Sequence, residues 1–148
     1  MRFHNIKYRF SFLIPLGFEV LDRLDYPRYH IDEENTVEIL INYQPRNTKS
    51  ISINRDDTFK SVEEYEELIN LNAKYMQETG MKVVFKETIN LTNGRRIDRL
   101  YSTFKSMKCV TYFTNIRDMM IAASVEINKP QDENEQNLLM LFSSIEEE

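Results

Sequence analysis

Four consecutive segments of the C-terminal half constrain this chain more than anything else in it. Lys82–Leu91, Arg95–Phe104, Lys108–Asn115 and Met119–Ile127 are each rich in β-branched and aromatic residues, with short polar turns between them. Asp132 then opens an apolar helical stretch. Strands joined by short turns pair antiparallel, because a parallel neighbour needs a crossover of a dozen residues or more. The fold class that follows is α+β: an antiparallel sheet of about six strands, ending in a meander and flanked by helices.

At 148 residues the chain has the length of one domain. A domain of that size buries about 68–70% of its unfolded surface, so it needs no covalent staple. Cys109 is the sole cysteine, which removes any intrachain disulfide framework and any thiolate metal cage. Hydrophobic residues at 41% and charged residues at 29% suit a globular chain. No repeat or low-complexity linker divides it, and residues 1–148 read as a single domain.

A net charge of −5 and a pI near 5.2 argue against nucleic acid as a partner, since phosphate binding depends on clustered Lys and Arg. Arg95, Arg96 and Arg99 form a local basic spot beside a turn. No apolar run approaches the ~20 residues that span a bilayer, so no membrane insertion is expected. Arg2, Lys7 and Arg9 precede apolar Phe10–Phe18 in the manner of a signal peptide, but Pro15, Gly17 and Glu19 interrupt it and no small-x-small site follows. A strand is the better reading there, and a cytoplasmic location is the expectation unless a leader precedes the sequence.

Tyr8, Phe10, Phe12 and Ile14 alternate with Arg9, Ser11 and Leu13, the period of a half-buried strand. Tyr29–Ile31 and Thr36–Tyr43 read as the next pair, and Ile51–Ile53 as a short strand. Ser61-Val62-Glu63-Glu64 is a capping box, and Val62, Tyr65, Ile69, Ala73 and Met76 then recur at helical spacing up to Gly80. This predicts a helix over 61–78. A second helix, near 133–145, should bury Leu138, Leu141, Phe142 and Ile145. Glu146–Glu148 would lie at its C-terminus, where the helix dipole disfavours them, and fraying is expected.

Asn93-Gly94 joins the first two meander strands. A two-residue turn would set Ile89 opposite Asp98 and Glu87 opposite Leu100. A three-residue loop, Thr92–Gly94 with a left-handed glycine, sets Ile89 against Ile97, Glu87 against Arg99 and Phe85 against Tyr101. Matched cross-strand pairs are each worth roughly 0.2–1 kcal/mol, so several outweigh one turn preference. The second register is predicted, with a bulge at Gly94.

The order of these elements resembles the Mog/PsbP-like family, as a small bacterial PsbP-like domain. The resemblance rests on Phe10-Ser11-Phe12-Leu13-Ile14-Pro15-Leu16-Gly17-Phe18, the helix entry Ser61-Val62-Glu63-Glu64-Tyr65, the Asn93-Gly94 hairpin with Arg95–Tyr101, and the closing Leu138–Ile145 helix. It implies a central antiparallel sheet with helices on its faces and a non-catalytic role. Branches of the family serve photosystem II assembly and Ran GTPase binding, and bacterial relatives include lipoproteins and adaptors for type VI secretion effectors. The tryptophan that many members carry after the opening Pro-x-Gly is absent here. No functional residue is carried over.

The residues that could bear chemistry have plainer readings. His4 and His30 sit far apart among strand residues; His30 has Asp32 on the same strand face, but a ligand or base needs a positioned second group. Cys109 lies inside a predicted strand with no basic neighbour, so a buried, unreactive thiol is expected. Asp56, Asp57, Glu63, Glu64, Glu66 and Glu67 lack the spacing and central glycine of a calcium loop and suit a helix start instead. No P-loop, dinucleotide fingerprint or nucleophile elbow is found, and Asn90-Leu91-Thr92 matches a glycosylation acceptor that has no use in the cytoplasm.

No catalytic, cofactor-binding or metal residue is therefore assigned, and no cofactor. The expected function is a binding or adaptor module, chaperone-like, that recognises another protein. Tyr26, Tyr29, Tyr43 and Tyr101 are candidate contacts, since tyrosine offers a large area with a polar tip. The alternative is a carrier of a small apolar ligand in a sheet–helix pocket lined by Met119, Ile121 and Tyr65. The partner's identity and any self-association stay open.

Overall fold

Alternation along residues 97–127 buries side chains on both faces of the C-terminal strands, so the sheet needs cover on each side. Ile97, Val110, Tyr112 and Ile121 are buried on one face, Leu100, Phe113 and Met120 on the other. The computed structural model describes residues 2–6, 8–15, 19–22, 36–41 and 51–148; within 19–22, 36–41 and 51–58 it describes the backbone alone.

In chain order the elements are β1 (Arg2–Asn5), β2 (Phe10–Leu13), β3 (Glu19–Asp22), β4 (Thr36–Ile41), β5 (Ile51–Thr58), α1 (Val62–Glu78), β6 (Lys82–Asn90), β7 (Arg96–Phe104), β8 (Met107–Ile116), β9 (Met119–Ile127), α2 (Glu133–Ser143) and β10 (Glu146–Glu147). A seven-stranded sheet runs β3-β4-β5-β9-β8-β7-β6, and β1-β2-β10 form a separate three-stranded sheet. The predicted α+β class and antiparallel meander are present, with β6 to β9 antiparallel throughout.

The N-terminal half departs from expectation. Among the described residues the main sheet has seven strands, close to the expected number, but β3–β4 and β4–β5 pair parallel. The unforeseen β3 lies at Glu19–Asp22, whereas Tyr29–Ile31 is outside the described residues. The short strand expected at Ile51–Ile53 runs on to Thr58 and sits mid-sheet between β4 and β9. Both segments carry Asp, Glu or Asn, which strands disfavour, so local propensity hides them and long-range pairing makes them.

Both helices start as the sequence dictates. Ser61 Oγ accepts the Glu64 amide at 3.2 Å, and Asp132 Oδ1 accepts the Glu135 amide at 3.1 Å. In each case the glutamate reaches back one residue beyond the cap, Glu64 to Lys60 N and Glu135 to Gln131 N. α1 ends in a Schellman arrangement: Met81 N donates to Met76 O at 2.9 Å and Gly80 N to Gln77 O at 3.1 Å. Gly80 has φ +95, which makes glycine the natural residue there.

α1 covers one face of the sheet, with Tyr65 and Ile69 against Leu100, Phe113 and Met120. α2 and β2 cover the other, with Leu138, Leu141, Phe142, Phe10 and Phe12 against Val110, Tyr112, Val125 and their neighbours. α2 stops at Ser143, so the expected frayed helix end at Glu146–Glu148 is not what forms. Ile145 turns into the core at 4% exposure, and Glu146–Glu147 pair with β2.

The hairpin takes the three-residue register. Ile89 faces Ile97, Glu87 faces Arg99 and Phe85 faces Tyr101. Leu91 N donates to Arg95 O at 2.9 Å, and Gly94 N to Leu91 O at 3.0 Å. Gly94 has φ +88, and a Cβ there would meet nothing within 4 Å. Gly94→Ala should therefore destabilise by conformational cost alone, about 1–2 kcal/mol by urea denaturation, with the register unchanged.

Candidate functional site

Between the meander and α2 the apolar packing is interrupted by charge. Arg99 and Tyr101 on β7 and Tyr112 on β8 share the α2 face, and all three reach Glu135 in the first turn of α2. Glu135 is 1% exposed, and its carboxylate accepts from Tyr112 Oη at 2.7 Å, Tyr101 Oη at 2.8 Å, Arg99 Nη1 at 3.0 Å and Gln131 N at 2.8 Å. Arg99 also pairs with Glu87 on β6 and lies over the Tyr101 ring at 5.4 Å. Burial, then the hydrogen bond to Glu135, pushes the Tyr101 phenol up to about 12; the same causes raise Tyr112. Both rings therefore act as donors at neutral pH. A carboxylate satisfied on every side is held, not poised to react, and the cluster clamps β6, β7, β8 and α2 together.

A second buried acid lies on the α1 face. Asp98, 0% exposed, accepts from Thr88 Oγ1 at 2.5 Å and from Arg96 Nε at 2.9 Å. Arg96 also bonds Glu66 at 3.2 Å and stands 5.6 Å from the Tyr65 ring centroid. Burial and the Asp98 charge raise the Tyr65 phenol, whose oxygen has no partner among the described residues.

These contacts account for the basic spot read from sequence. Arg96 and Arg99 are ion-paired, and Arg95 Nη1 bonds Thr114 Oγ1 at 3.0 Å and Asn115 O at 2.8 Å. His4 lies 2.7 Å from Glu148, while His30 and Asp32 are outside the described residues. Of the acidic run, Glu64 caps α1 and Glu66 pairs with Arg96; the side chains of Asp56 and Asp57 are not described. Among the described residues, no group of His, Cys, Asp and Glu is placed to hold a metal ion.

Cys109 is half-buried rather than buried, because it faces the α1 side near the start of β8, opposite Glu126. Burial, then the Glu126 charge, raises its thiol. Labelling by a neutral maleimide at pH 7 should be slow and should speed up steadily as the pH is raised; fast labelling at pH 7 would contradict this.

The tyrosine candidates fare unevenly. Tyr101 is engaged with Glu135, and Tyr26, Tyr29 and Tyr43 lie outside the described residues. The residues named for an apolar pocket cannot line one cavity, since Met119 and Ile121 belong to the α2-side core and Tyr65 to the α1 side.

Among the side chains described on the main sheet, the most exposed apolar ones lie on its β6 border. β6 ends the strand order, and no described strand pairs with its outer side. Lys82, Lys86 and an irregularity at Val83–Phe85 are devices that discourage indiscriminate edge pairing. Even so, Val84 is 59% and Phe85 51% exposed, with Phe85 stacked on Tyr101 at 6.3 Å. The strand at β6 was legible in the sequence from its β-branched and aromatic residues, but its position at the border of the sheet was not.

No protein-family model and no curated protein matches this chain. Among solved structures it is similar to the solution structure of cyanobacterial PsbP (CyanoP) from Synechocystis sp. PCC 6803, with a TM-score of 0.60 at 11% identity, over 100% of this chain and 92% of that one. No helix among the described residues is long and apolar enough to cross a membrane. The fold, an antiparallel meander between two helices, is PsbP-like.

Proposed function

We propose that this chain is a non-catalytic binding module that recognises another protein through the outer border of β6. The observation that carries the reading is the exposure of Val84 and Phe85, two large apolar side chains held in solvent on a nine-residue strand. An extended segment of a partner could take the free backbone groups of such a strand and cover Phe85, with acidic side chains placed for Lys82 and Lys86. The Glu135 clamp supports this use, because it ties β6 to the body of the fold through Glu87 and Arg99.

The test compares proteins that co-purify from the source cell with the tagged wild type and with Val84→Ser/Phe85→Ser. Loss of a centrally buried aromatic anchor costs about 2 kcal/mol or more, roughly 30-fold in Kd. A partner bound here should disappear from the double variant while the circular dichroism spectrum is kept. Retention of every partner by the folded variant would overturn the proposal.

A further inference from the structure

The second surface of interest is the small sheet, where the chain binds part of itself. Glu146 pairs with Ser11 and Glu147 with Phe10, so among the described residues two in strand conformation cover the outer side of β2. Each successive carboxylate then meets its own donor or cation. Glu146 lies 3.5 Å from Arg2, Glu147 Oε1 accepts the Arg117 amide at 2.8 Å, and Glu148 Oε1 is 2.7 Å from His4 Nδ1. Glu148 N adds a backbone bond to Arg9 O at 2.9 Å.

Three consecutive glutamates have low strand propensity and repel one another, so their own preferences do not place them here. What places them is the surface they lie on. The Arg117 guanidinium donates to Tyr8 O and to Arg9 O, so the cradle is tied together by bonds that do not involve the acidic residues. Arg9 and Arg117 both hold left-handed backbones, φ 54 and φ 52, which fixes the two turns bordering the site. The occupying segment, in contrast, is lightly held. Glu146 and Glu148 side chains are 69% and 41% exposed, and ion pairs that exposed contribute little. The core anchor ends at Ile145, so residues 146–148 can leave without opening the core.

We propose that the outer side of β2, with Arg2, His4 and the Arg117 turn, is a binding site for an extended acidic peptide segment, and that Glu146–Glu148 occupy it as an internal competitor. Charge complementarity names the occupant, and the tethered residues show the geometry: antiparallel pairing with Phe10 and Ser11, and one carboxylate per donor. A tethered segment acts at an effective concentration in the millimolar range, so a partner must outcompete it or bind after its release. The proposal is independent of the β6 reading, which concerns the far border of the other sheet.

The probe is a fluorescein-labelled, C-terminally amidated peptide with the sequence of residues 143–148, followed by anisotropy in 20 mM salt. The full chain should bind it weakly. A Glu146→Lys/Glu147→Lys/Glu148→Lys variant, whose altered segment is repelled by the cradle, should bind at least tenfold more tightly. Adding Arg2→Ala and His4→Ala should reverse that gain, as should 0.5 M salt. If the lysine variant is unstable, the Gln triple variant gives the same comparison. Equal affinity of folded variant and full chain, no binding to the variant, or a gain that survives Arg2→Ala/His4→Ala would each overturn the proposal.

Discussion

Glu135→Ala should lower the unfolding free energy by about 3–5 kcal/mol, the range for removing one partner of a buried charged pair. For a chain of this size that is a fall of roughly 6–20 °C in Tm. The substitution leaves Arg99 with Glu87 as its carboxylate partner among the described residues, and leaves the Tyr101 and Tyr112 hydroxyls without their acceptor. Tyr112→Phe, which removes one donor and leaves the carboxylate otherwise satisfied, should cost only about 1–2 kcal/mol. A loss below 1 kcal/mol for Glu135→Ala would mean that the clamp is not structural. The same cluster sets an alkaline limit. An unfolded tyrosine loses its proton near pH 10, whereas folded Tyr101 keeps it to about 12, so folding is favoured undiminished below pH 10 and progressively less between 10 and 12. Tyr101→Phe should flatten that decline in Tm-against-pH measurements.

Phe142→Ala should cost about 3–5 kcal/mol, and Ile69→Ala about 2–5 kcal/mol. Both side chains are fully buried, and Phe142 meets the Tyr112 ring edge to face at 5.6 Å. The informative measurement is their independence. Phe142 lies in the α2-side core and Ile69 in the α1-side core, with the sheet between them. The milder Phe142→Leu and Ile69→Val, each worth roughly 1 kcal/mol, should add within about 0.5 kcal/mol in a double variant. A larger coupling would mean that the sheet transmits strain between its faces.

How much of this could be read in advance depends on whether the cause is local. The bounds of β9, the capped start of α1 and the hairpin register all follow from neighbouring residues, and the sequence reading reached them. β3 and β10 have no such cause: Glu19-Val20-Leu21-Asp22 and Glu146-Glu147 become strands only because distant strands offer them partners. Glu135 was hidden for another reason. In sequence it resembles an ordinary acid in a helix's first turn, and only the fold brings Arg99, Tyr101 and Tyr112 around it. One signal was present, since Arg99 stands on the same strand face as Ile97 and Tyr101, a costly place for an unpaired charge. That pattern predicts a buried acid, though not which one.

The small sheet has a kinetic meaning as well. β7, β8 and β9 are joined by tight turns, so their ladders close short loops and can form early. The β2–β10 ladder joins Ser11 to Glu146, nearly the whole length of the chain, and gains nothing until the meander and α2 already stand in place. In hydrogen exchange, the amides of β8 should open only with global unfolding, and those of Ser11 and Glu148 through a separate, lower-energy event. The two ends of the described chain thus form a seam, made last and opened first.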